Sequence, residues 1–145
     1  PFSVYIHGYF NVDNIIYDPR EKKISYIDLH RSRYMDYVQD VSVFMVSNYR
    51  LQIMAAPVRR RIISVIRDFY KTAARYARRN DDALFDVRLA LGLSRSFVTS
   101  TRFILDKSLA RNMFLRGRYL LEQVISLEES DYARYKVPVK ELFVG

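Results

Sequence analysis

The chain contains no cysteine, which excludes a disulfide scaffold, thiolate zinc sites and cysteine nucleophiles, and which fits a cytoplasmic protein. Glycine and proline are scarce, with four of each in 145 residues. So few turn-formers exclude a disordered tail, a collagen-like repeat and a turn-rich all-β barrel, and they favour long helices. Long hydrophobic runs are missing too. The longest has four residues, 43–46, against the roughly 18 that a membrane span needs. The N-terminus also lacks a basic stretch leading into an apolar one, so no secretory leader is expected.

What is present is an apolar and strongly basic chain. Half of the residues are hydrophobic and 14% are aromatic, enough for a sizeable core in one domain spanning residues 1–145. Lys and Arg number 24 against 16 Asp and Glu, a net charge of +8. Lysine stands only at 22, 23, 71, 107, 136 and 140, so arginine supplies most of the positive charge. Such an excess favours phosphate-bearing partners without choosing among them.

Residues 1–30 read as β-rich. Phe2, Val4 and Ile6 alternate with Ser3 and Tyr5, and the pattern stops at Gly8. A second apolar segment, Ile15 to Tyr17, and a third, Ile24 to Ile27, flank a polar turn and predict a hairpin that ends at Asp28. From Asp36 to about residue 128 the periodicity is helical. Val38, Val41, Phe44, Met45 and Asn48 share a face, and so do Val58, Ile62, Ile66, Phe69, Ala73 and Ala77 after Pro57. Leu84, Val87 and Leu91 lead to Gly92, and amphipathic stretches follow at 97–110 and 114–127, ahead of an irregular tail from Ser130. The expected fold is α+β and mostly helical: a short β-hairpin element followed by four or five helices.

Arg59 to Arg61 suggest a nucleic-acid surface, but three consecutive helical residues fan over roughly 200° and make no stripe. Arg60, Arg67, Lys71, Arg75 and Arg78 do share a broad face, which reads as solvated in preference to nucleic-acid binding. The twelve tyrosines read as half-buried packing residues in preference to base-stacking ones. His30 reads as an ordinary surface histidine.

The chemistry concentrates in His7 to Asn14, HGYFNVDN, and in the aspartates Asp13, Asp28, Asp36 and Asp40. A turn followed by a hairpin can bring Asn14 and Asp28 together. An amide oxygen with a carboxylate suits Mg²⁺, which keeps waters and accepts phosphate oxygens as further ligands. The segment HGYFNVDNIIYD…YIDLHRSRYMDYVQDVS resembles the catalytic segment of the aminoglycoside phosphotransferase and choline kinase-like group, relatives of the protein kinases. That pattern is H-G-D-x-x-x-x-N, a strand ending in I-D, then G-D-x-x-x-D opening a helix.

The resemblance covers about residues 2–48 and implies a kinase-like carboxy-terminal lobe for the whole chain. It implies an ATP- or GTP-dependent transferase, a kinase moving phosphate to a small-molecule hydroxyl. Asn14 and Asp28 would be the Mg²⁺ ligands, with Asp28 where the D-F-G aspartate stands in protein kinases. His7 would be a structural residue of the catalytic loop, Asp40 the carboxylate that braces the loop, and Asp36 a residue on the substrate side.

Two positions depart from the pattern: Tyr9 replaces the general-base Asp, and Met35 replaces the Gly of G-D. A phenol keeps its proton at neutral pH and is a poor acceptor for a hydroxyl proton. The four glycines, at 8, 92, 117 and 145, cannot form the phosphate loop of an amino-terminal lobe, and only six residues precede His7. The expectation is a lobe inactive as it stands: a fragment, an inactivated variant or a pseudokinase. Its apolar surface would meet an amino-terminal lobe or a second copy. The rival reading is a non-catalytic basic helical module that docks on a protein or on nucleic acid, with no membrane involved.

Overall fold

The computed structural model describes residues 3–53 and 55–144; Phe2 of the expected first strand and Gly145 lie outside the described residues. Four short strands precede the helices: β1 (Ser3–Ile6), β2 (Ile15–Asp18), β3 (Lys23–Tyr26) and β4 (Arg33–Asp36). They make two separate antiparallel ribbons, β1 with β4 and β2 with β3. The second is the expected hairpin, with Ile15 opposite Tyr26 and Asp18 opposite Lys23. Its turn is closed by Asp18, whose Oδ1 accepts the Arg20 and Glu21 amides at 2.8 and 3.2 Å, while Lys22 takes a φ of 52°.

Strand β4 departs from the expectation that residues 36–128 are helical. Asp36 belongs to β4, paired with Ser3, and helix begins only at Val38. The partner of β4 lies about thirty residues upstream, so no local pattern announces the pairing. Asp36 also closes an Asx turn into the helix that follows, its Oδ1 accepting the Val38 amide at 3.0 Å.

Among the described residues five α-helices follow: α1 (Val38–Tyr49), α2 (Ala56–Arg79), α3 (Phe85–Ser100), α4 (Lys107–Ile125) and the single turn α5 (Val139–Leu142). Helix α1 is the centre of the body, buried from Met45 through Tyr49 and at Val38, Val41 and Ser42. Helix α2 is amphipathic as expected and starts with Pro57 in its first turn. Its buried face carries Ile63, Ile66, Ala73 and Ala77, whereas Val58 is exposed.

Gly92 does not end a helix. Helix α3 runs through it, and the missing side chain lets α3 pack closely on α1, where a Cβ would stand 3.1 Å from the Ser42 Oγ. Gly117 plays the same part between α3 and α4: a Cβ would stand 2.9 Å from the Ser94 carbonyl oxygen. The expected stretch at 97–110 is broken. Helix α3 ends at Ser100, a 3-10 turn covers Thr101–Phe103, and α4 restarts with Asp106 accepting the Leu109 amide at 2.7 Å.

The tail, expected to be irregular, carries a 3-10 turn (Glu129–Asp131) and α5, and it belongs to the core. Val137, Val139, Leu142 and Phe143 are buried, and the Phe143 ring lies 5.6 Å from Phe97 and 5.4 Å from Tyr49. Asp86 of α3 fastens the tail, accepting from Lys136 Nζ at 2.9 Å, from the Val137 amide at 3.2 Å and from the Tyr70 hydroxyl at 2.7 Å. The tyrosines divide by region. Tyr37 and Tyr49 are buried, but Tyr5, Tyr17, Tyr26 and Tyr34 of the strands are exposed and pack less than their residue type suggested. Among the described residues no helix is long and apolar enough to cross a membrane.

Candidate functional site

The loop after β1 is held from beneath by one carboxylate. Asp40, in the first turn of α1, accepts the His7 amide on Oδ2 at 2.7 Å and the Gly8 amide on Oδ1 at 3.1 Å. Burial pushes the Asp40 carboxyl above its usual range, against the pull of the amides that favour its anion. Gly8 is required at the turn. Its φ is +83°, and an added Cβ would stand 2.2 Å from the Arg31 carbonyl oxygen.

His7 ties the loop to the end of the hairpin. Its Nε2 donates to the Ile27 carbonyl at 2.9 Å, and its own carbonyl accepts from the Ser32 hydroxyl at 3.3 Å. The Ile27 amide in turn donates to the Asn14 carbonyl at 3.1 Å. That bond extends the β2–β3 pairing by one step and sets Asn14 across from the residue before Asp28. Asn14 closes a 3-10 turn (Val12–Asn14) that is pinned to α1 through the Val12 amide and the Ser47 hydroxyl at 3.0 Å. Its side-chain nitrogen donates to the Tyr9 carbonyl at 3.0 Å, which leaves the amide oxygen for another partner.

Asp28 sits in the left-handed region at φ 62° and meets His30 Nδ1 at 2.7 Å through Oδ1. That contact makes His30 a partner of the candidate carboxylate and not an isolated surface residue. Tyr9 occupies the loop apex, with the Arg31 guanidinium 5.0 Å over its ring.

Asp36, expected on the substrate side, is engaged elsewhere. Arg88 bonds it through Nε at 2.7 Å and Nη2 at 3.2 Å, and also bonds Asp82 at 2.6 and 2.9 Å. Tyr37 adds its hydroxyl to Asp82 at 2.6 Å. Burial raises the Asp82 carboxyl, and the bonds from Arg88 and Tyr37 outweigh it, leaving the group lowered; the Tyr37 phenol is raised by burial and by Asp82. Asp13, the other carboxylate near the loop, is exposed and faces Arg50 at 3.4 Å.

Two open clefts flank Tyr9. One, of about 500 Å³, holds Asn11, Asp13, Asn14 and Arg50. The other, of about 550 Å³, is walled by His30, Arg31 and Arg33 on one side and by Arg95 and Arg102 on the other. Sequence reasoning missed this second wall. Arg31 and Arg33 alternate visibly around Ser32, but nothing local joins them to Arg95 and Arg102, more than sixty positions later.

The basic face of α2 is partly spent inside the molecule. Arg67 donates to the Phe143 carbonyl at 3.1 Å, Lys71 pairs with Asp68 at 2.9 Å and Arg75 reaches the Thr72 hydroxyl at 3.0 Å. No family model matches the chain, and no curated protein or solved structure matches it either.

Proposed function

We propose that this chain is the carboxy-terminal lobe of a small-molecule phosphotransferase of the aminoglycoside phosphotransferase-like kind, with a tyrosine in place of its general base. The observation that carries the reading is the Asp40 brace. One carboxylate fixes the His7 and Gly8 amides, and the loop it holds presents Asn14 and the Ile27–Asp28 end of the hairpin side by side.

The donor set fits a hard divalent cation. Asn14 offers an amide oxygen whose nitrogen is already occupied by Tyr9, and Asp28 offers the oxygen that His30 does not take. No cluster of three or more His, Cys, Asp or Glu stands anywhere among the described residues. Two protein oxygens leave room for the waters and phosphate oxygens that Mg²⁺ prefers. When bound with ATP or GTP, Mg²⁺ would neutralise the charge of the transferred phosphate.

The chain's own residues do the positioning. Asp40 and Gly8 set the turn, His7 locks it to the hairpin, and Asn14 holds the Tyr9 carbonyl. Tyr9 stands where an acceptor hydroxyl would have to lose its proton, and a phenol under an arginine is a weak acceptor for it. On this reading the general base is lost at Tyr9 and the phosphate loop of an amino-terminal lobe is missing from this sequence, while the two candidate Mg²⁺ ligands, Asn14 and Asp28, persist.

The test is paramagnetic. Mn²⁺ added with ATP should broaden the NMR signals of the Asn14 side-chain amide and the Asp28 backbone amide before others, and Asp28→Asn should abolish this. Broadening spread over surface carboxylates such as Asp68 and Glu122 would overturn the reading. With an amino-terminal kinase lobe supplied, Tyr9→Asp should restore transfer to a hydroxyl acceptor. No transfer while nucleotide still binds would remove Tyr9 from the base position.

A further inference from the structure

The cleft beside Tyr9 brings together positive charge that the molecule leaves uncompensated. Its four arginines come from two distant parts of the chain: Arg31 from a 3-10 turn (Leu29–Arg31) and Arg33 from the start of β4, Arg95 from α3 and Arg102 from the 3-10 turn beyond it. Among the described residues no Asp or Glu lines it.

The partners these arginines have are neutral or aromatic. Arg31 stacks on Tyr9 and reaches His30 Nε2 at 3.4 Å, and Arg33 reaches the Met35 sulfur at 3.5 Å. Arg95 bonds the Gln39 side-chain oxygen, and Arg102 lies 4.6 Å over Phe103. None of the four forms an ion pair among the described residues. Four of the fourteen arginines outside the cleft, Arg50, Arg88, Arg118 and Arg134, meet a carboxylate, so what sets the cleft apart is the gathering of four guanidinium groups around one concavity.

Gathering like charges around a concavity costs energy through mutual repulsion, which an anion bound there relieves. Guanidinium groups are suited to an oxyanion because their fork of N–H donors matches two of its oxygens at once. The Ser32 and Thr99 hydroxyls on the same walls donate to the His7 and Arg95 carbonyls, so the donors facing the cleft are chiefly the guanidinium groups. The volume, about 550 Å³, is that of a small-molecule site and gives no extended track for a polymer.

We infer that the cleft binds a small molecule bearing a phosphate group. Its assignment as the acceptor pocket of the phosphotransferase rests on the function proposed above; its chemistry as an anion site does not. His30 links the two, touching Asp28 through Nδ1 and Arg31 through Nε2. A cationic acceptor such as an amino sugar or amino alcohol is disfavoured by the same wall.

The test is a titration of the chain followed through the Nε–H NMR signals of its arginines, with inorganic phosphate, glycerol 3-phosphate, glycerol, ethanolamine and a ten-residue oligothymidylate as probes. Glycerol 3-phosphate should shift the signals of Arg31, Arg33, Arg95 and Arg102 saturably, and glycerol and ethanolamine should not. Arg95→Gln and Arg102→Gln should each weaken binding about tenfold or more, with the melting temperature unchanged, and Arg75→Gln on α2 should have no effect.

The inference is overturned if neither phosphate probe moves these four signals, or if Arg95→Gln and Arg102→Gln bind as the unaltered chain does. It is likewise overturned if the oligothymidylate displaces glycerol 3-phosphate at equal phosphate concentration, which would make the cleft part of a nucleic-acid surface. Phosphate binding here with no Mg²⁺-dependent nucleotide binding at Asp28 would leave the anion site standing and count against the phosphotransferase reading. Nucleotide binding at Asp28 without phosphate binding here would do the reverse.

Discussion

Residues 3–36 and the helical body beyond them are stabilised by different means. In the body, whole side chains vanish from solvent: Met45, Ile66, Leu89, Leu93, Phe97, Met113 and Phe143 interlock between helices. In the strand segment the buried residues among those described are Ile6, Asn11 and Asn14, and two of these three are polar. Its shape comes from a few hydrogen bonds to single groups, chiefly the Asp40 carboxylate, the Ser47 hydroxyl and the Asn14 amide. The body supplies stability that many substitutions can erode gradually, while the loop depends on individual atoms. The turn does not depend on the side chain at position 9, because the hydrogen bonds there go to the Tyr9 backbone carbonyl.

The comparison can be broken most severely from the core. Phe97→Ala should cost about 3–5 kcal/mol in urea denaturation, and the loop should unfold together with the helices, because Asp40 and Ser47 both belong to α1. An unfolding curve in which the loop signals persist would show that the segment is independent.

Next in size is the buried network at Asp82. Asp82→Asn leaves Arg88 its bonds to Asp36 but takes the charged acceptor from Arg88 and from the Tyr37 hydroxyl, and should cost about 1.5–3 kcal/mol. The same residue predicts an acid limb. Its carboxyl is lowered in the folded chain, so its contribution is fully present above the ordinary aspartate value near pH 4 and is lost as the pH falls through the lower folded value. Melting temperatures of Asp82→Asn should therefore fall less steeply in that acid window than those of the unaltered chain; parallel curves would contradict the assignment.

Gly8→Ala should cost about 1–3 kcal/mol in backbone strain but act locally. Amide exchange of His7 and Gly8 should quicken well before that of α1, whereas uniform quickening would mean that the loop is part of the core after all. Smallest of all, Tyr34→Ser on the exposed ribbon removes an edge-on contact with the Tyr5 ring at 5.4 Å and should cost about 0.5–1 kcal/mol, and no loss at all would show that this cross-strand pair does not hold the ribbon.

The sequence announces what depends on neighbours along the chain. The hairpin is legible because Asp18 and Pro19 introduce a polar turn between two β-branched or aromatic segments. Helix α2 is legible because apolar residues recur on one side for twenty-four positions. The loop motif is legible in the spacing of His7, Gly8, Asn14, Asp28 and Asp40. What depends on distant partners is not. Strand β4 reads as Arg-Tyr-Met-Asp and owes its extension to β1. Gly92 looks like a stop signal until α1 is seen against it, the polar-looking tail hides Phe143, and the arginine wall exists only once α3 is folded against the segment after Asp28. Asp36 shows the same limit, because nothing near it in the sequence announces its bonds to Arg88, fifty-two residues on.

The most direct measurement of the central claim is the melting temperature of the chain with ATP, with and without Mg²⁺, set beside that of Asp28→Asn. Ligand that binds the folded state alone raises stability by mass action. The Asp40-braced loop predicts a rise that requires Mg²⁺ and is absent in Asp28→Asn, whose exposed side chain leaves the unliganded melting temperature unchanged. An equal rise in Asp28→Asn, or none in the unaltered chain at millimolar Mg²⁺ and ATP, would contradict it.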